Sequence, residues 1–175
     1  MGFGLVPEYR FNSYLSATPE LLRSIGVRGI VLDIDNTLEP YENPLPGEGV
    51  TAWLSALSAA GISAAIVSNN GRERVELFNS VLSLPAYWKA KKPFPGRVRA
   101  ALSDMGVTPS EAILMGDQVF TDVLAAHMAG IPAILVPPIR DRRDLLTKFK
   151  RVLERPVLRA YERRKKKEEK RNKQK

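Results

Sequence analysis

No cysteine occurs in the 175 residues. Disulfides and thiolate chemistry are therefore excluded, and a reducing compartment is permitted. No window approaches the roughly 18 uninterrupted apolar residues that a bilayer span needs. The stretch Met1 to Arg10 lacks a basic head followed by a long apolar core, so no signal peptide is expected. These absences predict a soluble, cytoplasmic protein. Acidic residues are sparse at the end of the chain. Arg159 to Lys175 hold ten Lys or Arg against three Glu, which is +7 of the net +8. Residues 1–158 are left at about +1, so the basicity belongs to a tail.

What is present is a 44% hydrophobic share, ordinary for a globular protein. The length suits one domain with a real core and is too short for two of ordinary size. The expected organisation is one domain over residues 1–158, with an N-terminal arm 1–28 packed on it. A flexible basic tail, 159–175, would follow.

The stretch from Gly29 to Leu38 organises the rest. Its apolar, β-branched start reads as a buried central strand. That strand runs into Asp33, Asp35, Asn36 and Thr37. Side chains alternate along an extended segment, so Asp33 and Asp35 are expected to project into one cavity. Two acids at the end of a buried strand are costly unless positive charge sits beside them. A divalent cation with oxygen ligands, such as Mg²⁺, is the simplest answer.

Along the chain, Thr18-Pro19-Glu20 resembles a helix start, with Thr18 as N-cap. Residues 39–47 contain Pro40, Pro44 and Pro46 and read as a loop or short flap. Further strands are expected at Ile62 to Val67, Ala86 to Trp88, Ala112 to Met115 and Ala133 to Val136. Amphipathic helices are expected between them. Strands alternating with helices imply an α/β fold: a doubly wound, mostly parallel sheet with helices on both faces. Ligands of such sheets bind beyond the carboxyl ends of the strands. Ser68-Asn69-Asn70, Lys92 and Gly116-Asp117 all fall at such ends. His127, the single histidine, reads as structural, and Trp53 and Trp88 as core.

The run Asp33-Ile34-Asp35-Asn36-Thr37 resembles the first motif of the haloacid dehalogenase superfamily of phosphotransferases. Ser68 after Ile66-Val67 matches its second motif, Lys92 before Pro93 its third, and Gly116-Asp117 through Asp122 its fourth. The same phrases look like the YqeG-type phosphatases, which are related to capless phosphatidylglycerophosphate phosphatases. The resemblance implies a Mg²⁺-dependent phosphomonoester hydrolase working through an aspartyl-phosphate. Asp33 would attack phosphorus. Asp35 would protonate the leaving oxygen and then deprotonate water. Mg²⁺ would be held by Asp33, Asp117 and the Asp35 backbone carbonyl, with Asp122 reaching it through water or orienting Lys92. Ser68 and Lys92, with Asn36, Thr37 and Asn69, would hold phosphate oxygens.

Thirty-three positions separate Asp35 from Ser68, and 24 separate Ser68 from Lys92. Neither gap has room for a cap domain, so the substrate or a partner must close the site. That favours a large substrate such as a lipid headgroup or a macromolecule, with phosphatidylglycerophosphate as the leading candidate. Asp141 to Glu154 reads as a basic amphipathic helix interrupted by Pro156. It suits peripheral contact with an anionic inner-membrane face. Nucleic acid is disfavoured, because no aromatic interleaving supports it. Three alternatives remain. They are a soluble phosphatase of sugar phosphates or nucleotides, a receiver-type signalling module, and a nucleic-acid-associated protein with a vestigial site. The oligomeric state is not legible.

Overall fold

The computed structural model describes residues 4–140 and 156–166. Among these residues, six strands form one sheet: β1 Tyr9–Arg10, β2 Gly29–Leu32, β3 Ser63–Val67, β4 Ala86–Tyr87, β5 Ala112–Gly116 and β6 Ala133–Leu135. Their spatial order is β1-β6-β5-β2-β3-β4, and every neighbouring pair is parallel. Helices α1 Pro19–Ser24, α2 Glu48–Ala59, α3 Arg72–Asn79, α4 Gly96–Met105 and α5 Leu124–Ala129 connect them. A sixth helix, α6, covers 156–166.

Local chemistry sets these elements. Thr18 caps α1, its hydroxyl accepting the Leu21 N–H at 3.3 Å, and Pro19 opens the helix. The α4 helix ends where Gly106 enters the left-handed region at φ +66°, a conformation that costs glycine little. Alternation along β2 then splits the core in two. Ile30 and Leu32 join Leu22, Trp53, Leu57 and Phe78 on the face covered by α1 to α3. Val31 joins Val67, Leu102, Leu114 and Ala126 under α4 and α5. Burial on both faces explains why β2 and β5 are unbroken apolar runs.

Because β2 is flanked by β3 and β5, the winding reverses beside it, and the crevice at that switch point opens beyond the end of β2. The segment after β2 is only a flap. Glu39 accepts the Gly47 N–H at 2.9 Å and the Asn43 amide at 2.8 Å.

The N-terminal arm does more than pack. Tyr9–Arg10 adds an edge strand alongside β6, which the sequence reading misses because two residues carry no periodicity. The α6 helix places Val157 in the core, and its Arg164 donates to the Pro7 carbonyl. It thus straddles the expected boundary between residues 158 and 159. The helix expected over 141–154 lies outside the described residues. Among the described residues, no helix is long and apolar enough to cross a membrane.

Candidate active site

At the end of β2, the Asp33 N–H still pairs with the Met115 carbonyl at 3.0 Å. That bond fixes the backbone from which the carboxylate enters the crevice. Asp33 Oδ1 accepts the Lys92 ammonium at 2.7 Å, and the Thr37 hydroxyl lies 3.5 Å from Oδ2. Lys92 comes from the loop between β4 and α4. The Asn69 amide grips its peptide at both ends: Lys92 N–H donates to Asn69 Oδ1 at 2.7 Å, and Asn69 Nδ2 donates to the Lys92 carbonyl at 3.1 Å.

Asp117 follows β5 directly, and Asp122 sits in a widened helical turn, Val119–Val123. Such turns recur at functional sites. Asp122 Oδ2 accepts the Gln118 N–H at 3.0 Å, and its Oδ1 is 2.7 Å from Lys92 Nζ. That second contact is an ion pair by distance without the alignment of a hydrogen bond. The turn fits only because residue 116 is glycine, since a Cβ there would overlap the Asp122 side chain.

Asp33, Asp117 and Asp122 each offer an oxygen within 4.8 Å of the others, and all three are buried. One ammonium serves three carboxylates. Burial pushes Asp33 up to about 7, with Lys92 opposing and Asp122 and Asp35 adding. Burial likewise pushes Asp117 up to about 8, helped by Asp122 and Asp33. For Lys92, burial works against the charge, but Asp122 and Asp33 outweigh it and hold the ammonium above the ordinary lysine value. Asp117 Oδ1 is buried with no hydrogen-bond partner, a costly state. Surplus negative charge, an orphaned oxygen and hard oxygen donors all fit a divalent cation such as Mg²⁺.

Three of the expected site residues have other contacts in the structure. Alternation places Asp33 and Asp35 in one cavity, but β2 ends at Leu32 and the chain turns at Asn36, where φ is +62°. The Asp35 carboxylate is consequently outside the acidic cluster. Its Oδ1 takes Arg74 Nε and Nη2 at 3.1 and 3.0 Å, and its Oδ2 takes the Asn70 amide at 3.0 Å. Asn36, expected on phosphate, is a turn residue. Its N–H donates to the Glu39 carbonyl at 2.7 Å, and its own carbonyl accepts the Ile139 N–H at 2.9 Å. Asparagine suits that left-handed position. Asn69, also expected on phosphate, has its amide occupied by the Lys92 peptide.

Ser68 is buried after β3, with its hydroxyl accepting the Asn70 N–H at 3.1 Å. Arg74 is the residue that sequence reasoning passes over, and it shares Asp35 with Asn70. Arg74 also donates to the Pro44 carbonyl at 2.9 Å, linking flap, α3 and Asp35. Nothing in the sequence around Arg74 marks it, and the fold turns it inward, its side chain 12% exposed.

A family model described as haloacid dehalogenase-like hydrolase matches residues 31–136. The chain belongs to the haloacid dehalogenase-like hydrolases. It is 34% identical over 158 residues to a Bacillus subtilis protein named "Probable phosphatase YqeG", spanning 90% of this chain and 92% of that one. It is 33% identical over 107 residues to the phosphoglycolate phosphatase of Rhodospirillum rubrum, covering 54% of this chain and 44% of the relative. The fold superposes on CbbY from Rhodobacter sphaeroides, solved in complex with phosphate, with a TM-score of 0.55 at 15% identity. That match covers 67% of this chain and 89% of the other. This haloacid dehalogenase-like hydrolase is thus a phosphatase, and its parallel α/β sheet, with no cap domain among the described residues, agrees with the sequence reading.

Proposed function

We propose that the chain hydrolyses phosphate monoesters through an aspartyl-phosphate on Asp33, with Mg²⁺ as cofactor and phosphatidylglycerophosphate as substrate. The observation that carries this reading is Asp33 itself, buried, 2.7 Å from Lys92 and within 4.8 Å of Asp117 and Asp122. Asp33 oxygen bonds to phosphorus as the ester P–O bond breaks. Asp35 gives a proton to the leaving oxygen, then takes one from the water that cleaves the acyl phosphate. For this, Asp35 exchanges its Arg74 and Asn70 contacts for the ester oxygen. Lys92 and Ser68 hold the non-bridging oxygens, where negative charge spreads in the transition state. Thr37 steadies Asp33, and Asp122 keeps the Lys92 ammonium aimed. Mg²⁺, taken up by Asp33 and Asp117 with Asp122 nearby, would neutralise charge on the transferring group.

The lipid substrate rests on the resemblance to YqeG-type phosphatases, on a flap too short to enclose a small ester, and on the basic C-terminal composition. A soluble ester is the second reading, favoured by the match to the phosphoglycolate phosphatase. A panel of lipid and soluble phosphoesters, run on wild type and Asp33→Asn with Mg²⁺ or EDTA, separates them. Wild type should turn over phosphatidylglycerophosphate, and both Asp33→Asn and EDTA should lower turnover by about a thousandfold or more. Turnover of soluble esters alone would dismiss the lipid, and full activity in Asp33→Asn would dismiss the mechanism.

A further inference from the structure

The mouth of the site carries apolar side chains that the interior does not use. All strands are parallel, so the loops after β2, β3, β4 and β6 leave at one edge, where Asp33 and Lys92 are. Eight large apolar side chains are exposed among the described residues. Five of them, Tyr41, Leu45, Trp88, Phe94 and Ile139, belong to these loops. Hydrogen bonds close the loops into a rim: Ile139 to the Asn36 carbonyl at 2.9 Å, Lys89 N–H to the Asn70 carbonyl at 2.8 Å, and Arg74 to Pro44.

Phe94 is the sharpest feature. It is 65% exposed, two residues beyond buried Lys92. Pro93 and Pro95 flank it. The same loop is basic. Residues 88–97 contain Lys89, Lys91, Lys92 and Arg97 and no acid. Lys89 and Lys91 adopt φ of +43° and +57°, a region rare for lysine and informative where it occurs. The result is one lysine buried in the site and two exposed on its lip. Arg72 lies over the Trp88 ring at 5.2 Å, adding a cation to the aromatic.

We propose that this rim is a docking surface for an anionic phospholipid bilayer. Phe94, Trp88, Leu45 and Ile139 would enter the headgroup boundary, and Lys89 and Lys91 would meet lipid phosphates. The proposal rests on the phosphatase reading above, since docking would present a headgroup phosphate to Asp33. Aliphatic side chains beside aromatics suit an acyl boundary better than nucleobases, which reward stacking platforms alone. The rim also does what the short flap cannot, because a membrane pressed against it excludes water from the crevice.

The test is co-sedimentation of the full chain with phosphatidylcholine vesicles, with and without about 30% phosphatidylglycerol. Two variants are compared with wild type: Phe94→Ser combined with Leu45→Ser, and Lys89→Glu combined with Lys91→Glu. The apolar pair should lower partition by about tenfold or more. The charge pair should abolish the preference for anionic vesicles and its salt dependence. Both should hydrolyse p-nitrophenyl phosphate as wild type does, which also reports an intact fold. Unchanged partition in both variants, or wild-type binding to RNA and not to vesicles, would overturn the proposal. Assays on phosphatidylglycerophosphate in detergent micelles keep the two readings apart. Rim-dependent binding without micellar turnover refutes the substrate and leaves docking standing. Micellar turnover with rim-independent binding does the reverse.

Discussion

Gly116 is decisive at the scale of the single residue, although it carries no chemistry. The missing Cβ lets the widened turn bring Asp122 against the end of β5, within reach of Lys92. The obstructing atoms are Asp122 Cβ and Cγ, close to the backbone, so no flexible tip can swing aside. Gly116→Ala must therefore displace the turn and with it the Lys92 anchor. A loss of about 1–3 kcal/mol in denaturant titration is expected, of the size that overpacking causes. The kcat should fall together with stability. An alanine variant as stable and active as wild type would show that Asp122 does not depend on this approach.

At the scale of elements, the edge strand β1 is held by a titratable pin. His127 on α5 contacts the Gly4 carbonyl, and its Nε2 lies 3.0 Å from Glu8 Oε2. Glu8 also accepts the Ala133 N–H of β6 at 2.8 Å. The Glu8 hydrogen bond raises His127 above its ordinary value, against partial burial, with the Gly4 carbonyl assisting. For Glu8, burial pushes upward, but the bonds from His127 and Ala133 outweigh it and hold the carboxyl low. A raised histidine stabilises below its unfolded value of about 6.5 and loses that contribution as pH rises through the folded value. A lowered glutamate stabilises above about 4.5 and loses it as pH falls. The pair therefore contributes most between these limits. His127→Ala should lower Tm more at about pH 5.5 than at about pH 8.5. The difference should be no more than about 1 kcal/mol, because the Glu8 carboxylate is 38% exposed to solvent. A Tm loss independent of pH would assign His127 to packing alone.

At the scale of the whole molecule, the acidic cluster couples metal, proton and stability. Folding raises Asp33 from 3.8 to about 7 and Asp117 from 3.8 to about 8. The folded chain thus holds protons that the unfolded chain releases. The contribution of these two groups to metal-free stability falls as pH rises from about 4 to about 8. A divalent cation can replace those protons, and it competes best where they are scarce. Mg²⁺ should raise Tm by several degrees at about pH 8.5 and by much less at about pH 5.5, in thermal melts against EDTA. Equal shifts at both values would mean that the ion does not bind among these carboxylates.

The sequence by itself determined the order of strands β2 to β6 with the helices between them, and the identity of the chemical groups. Each is written locally: an apolar run such as Ile30 to Leu32, a proline-rich flap, an acid or a lysine at a strand end. Only the tertiary structure decided what each group faces. Asp35 alternates with Asp33 in sequence, yet the turn at Asn36 delivers it to Arg74. Asn69 looks like a phosphate ligand but secures the Lys92 peptide. Arg74 has no signal in the sequence but is turned inward. The two-residue strand β1 has no pattern to read, because its partner β6 supplies the reason for its existence. Spacing along a chain fixes which residues share a local face, whereas long-range contacts fix their partners, and the chemistry here resides in the partners.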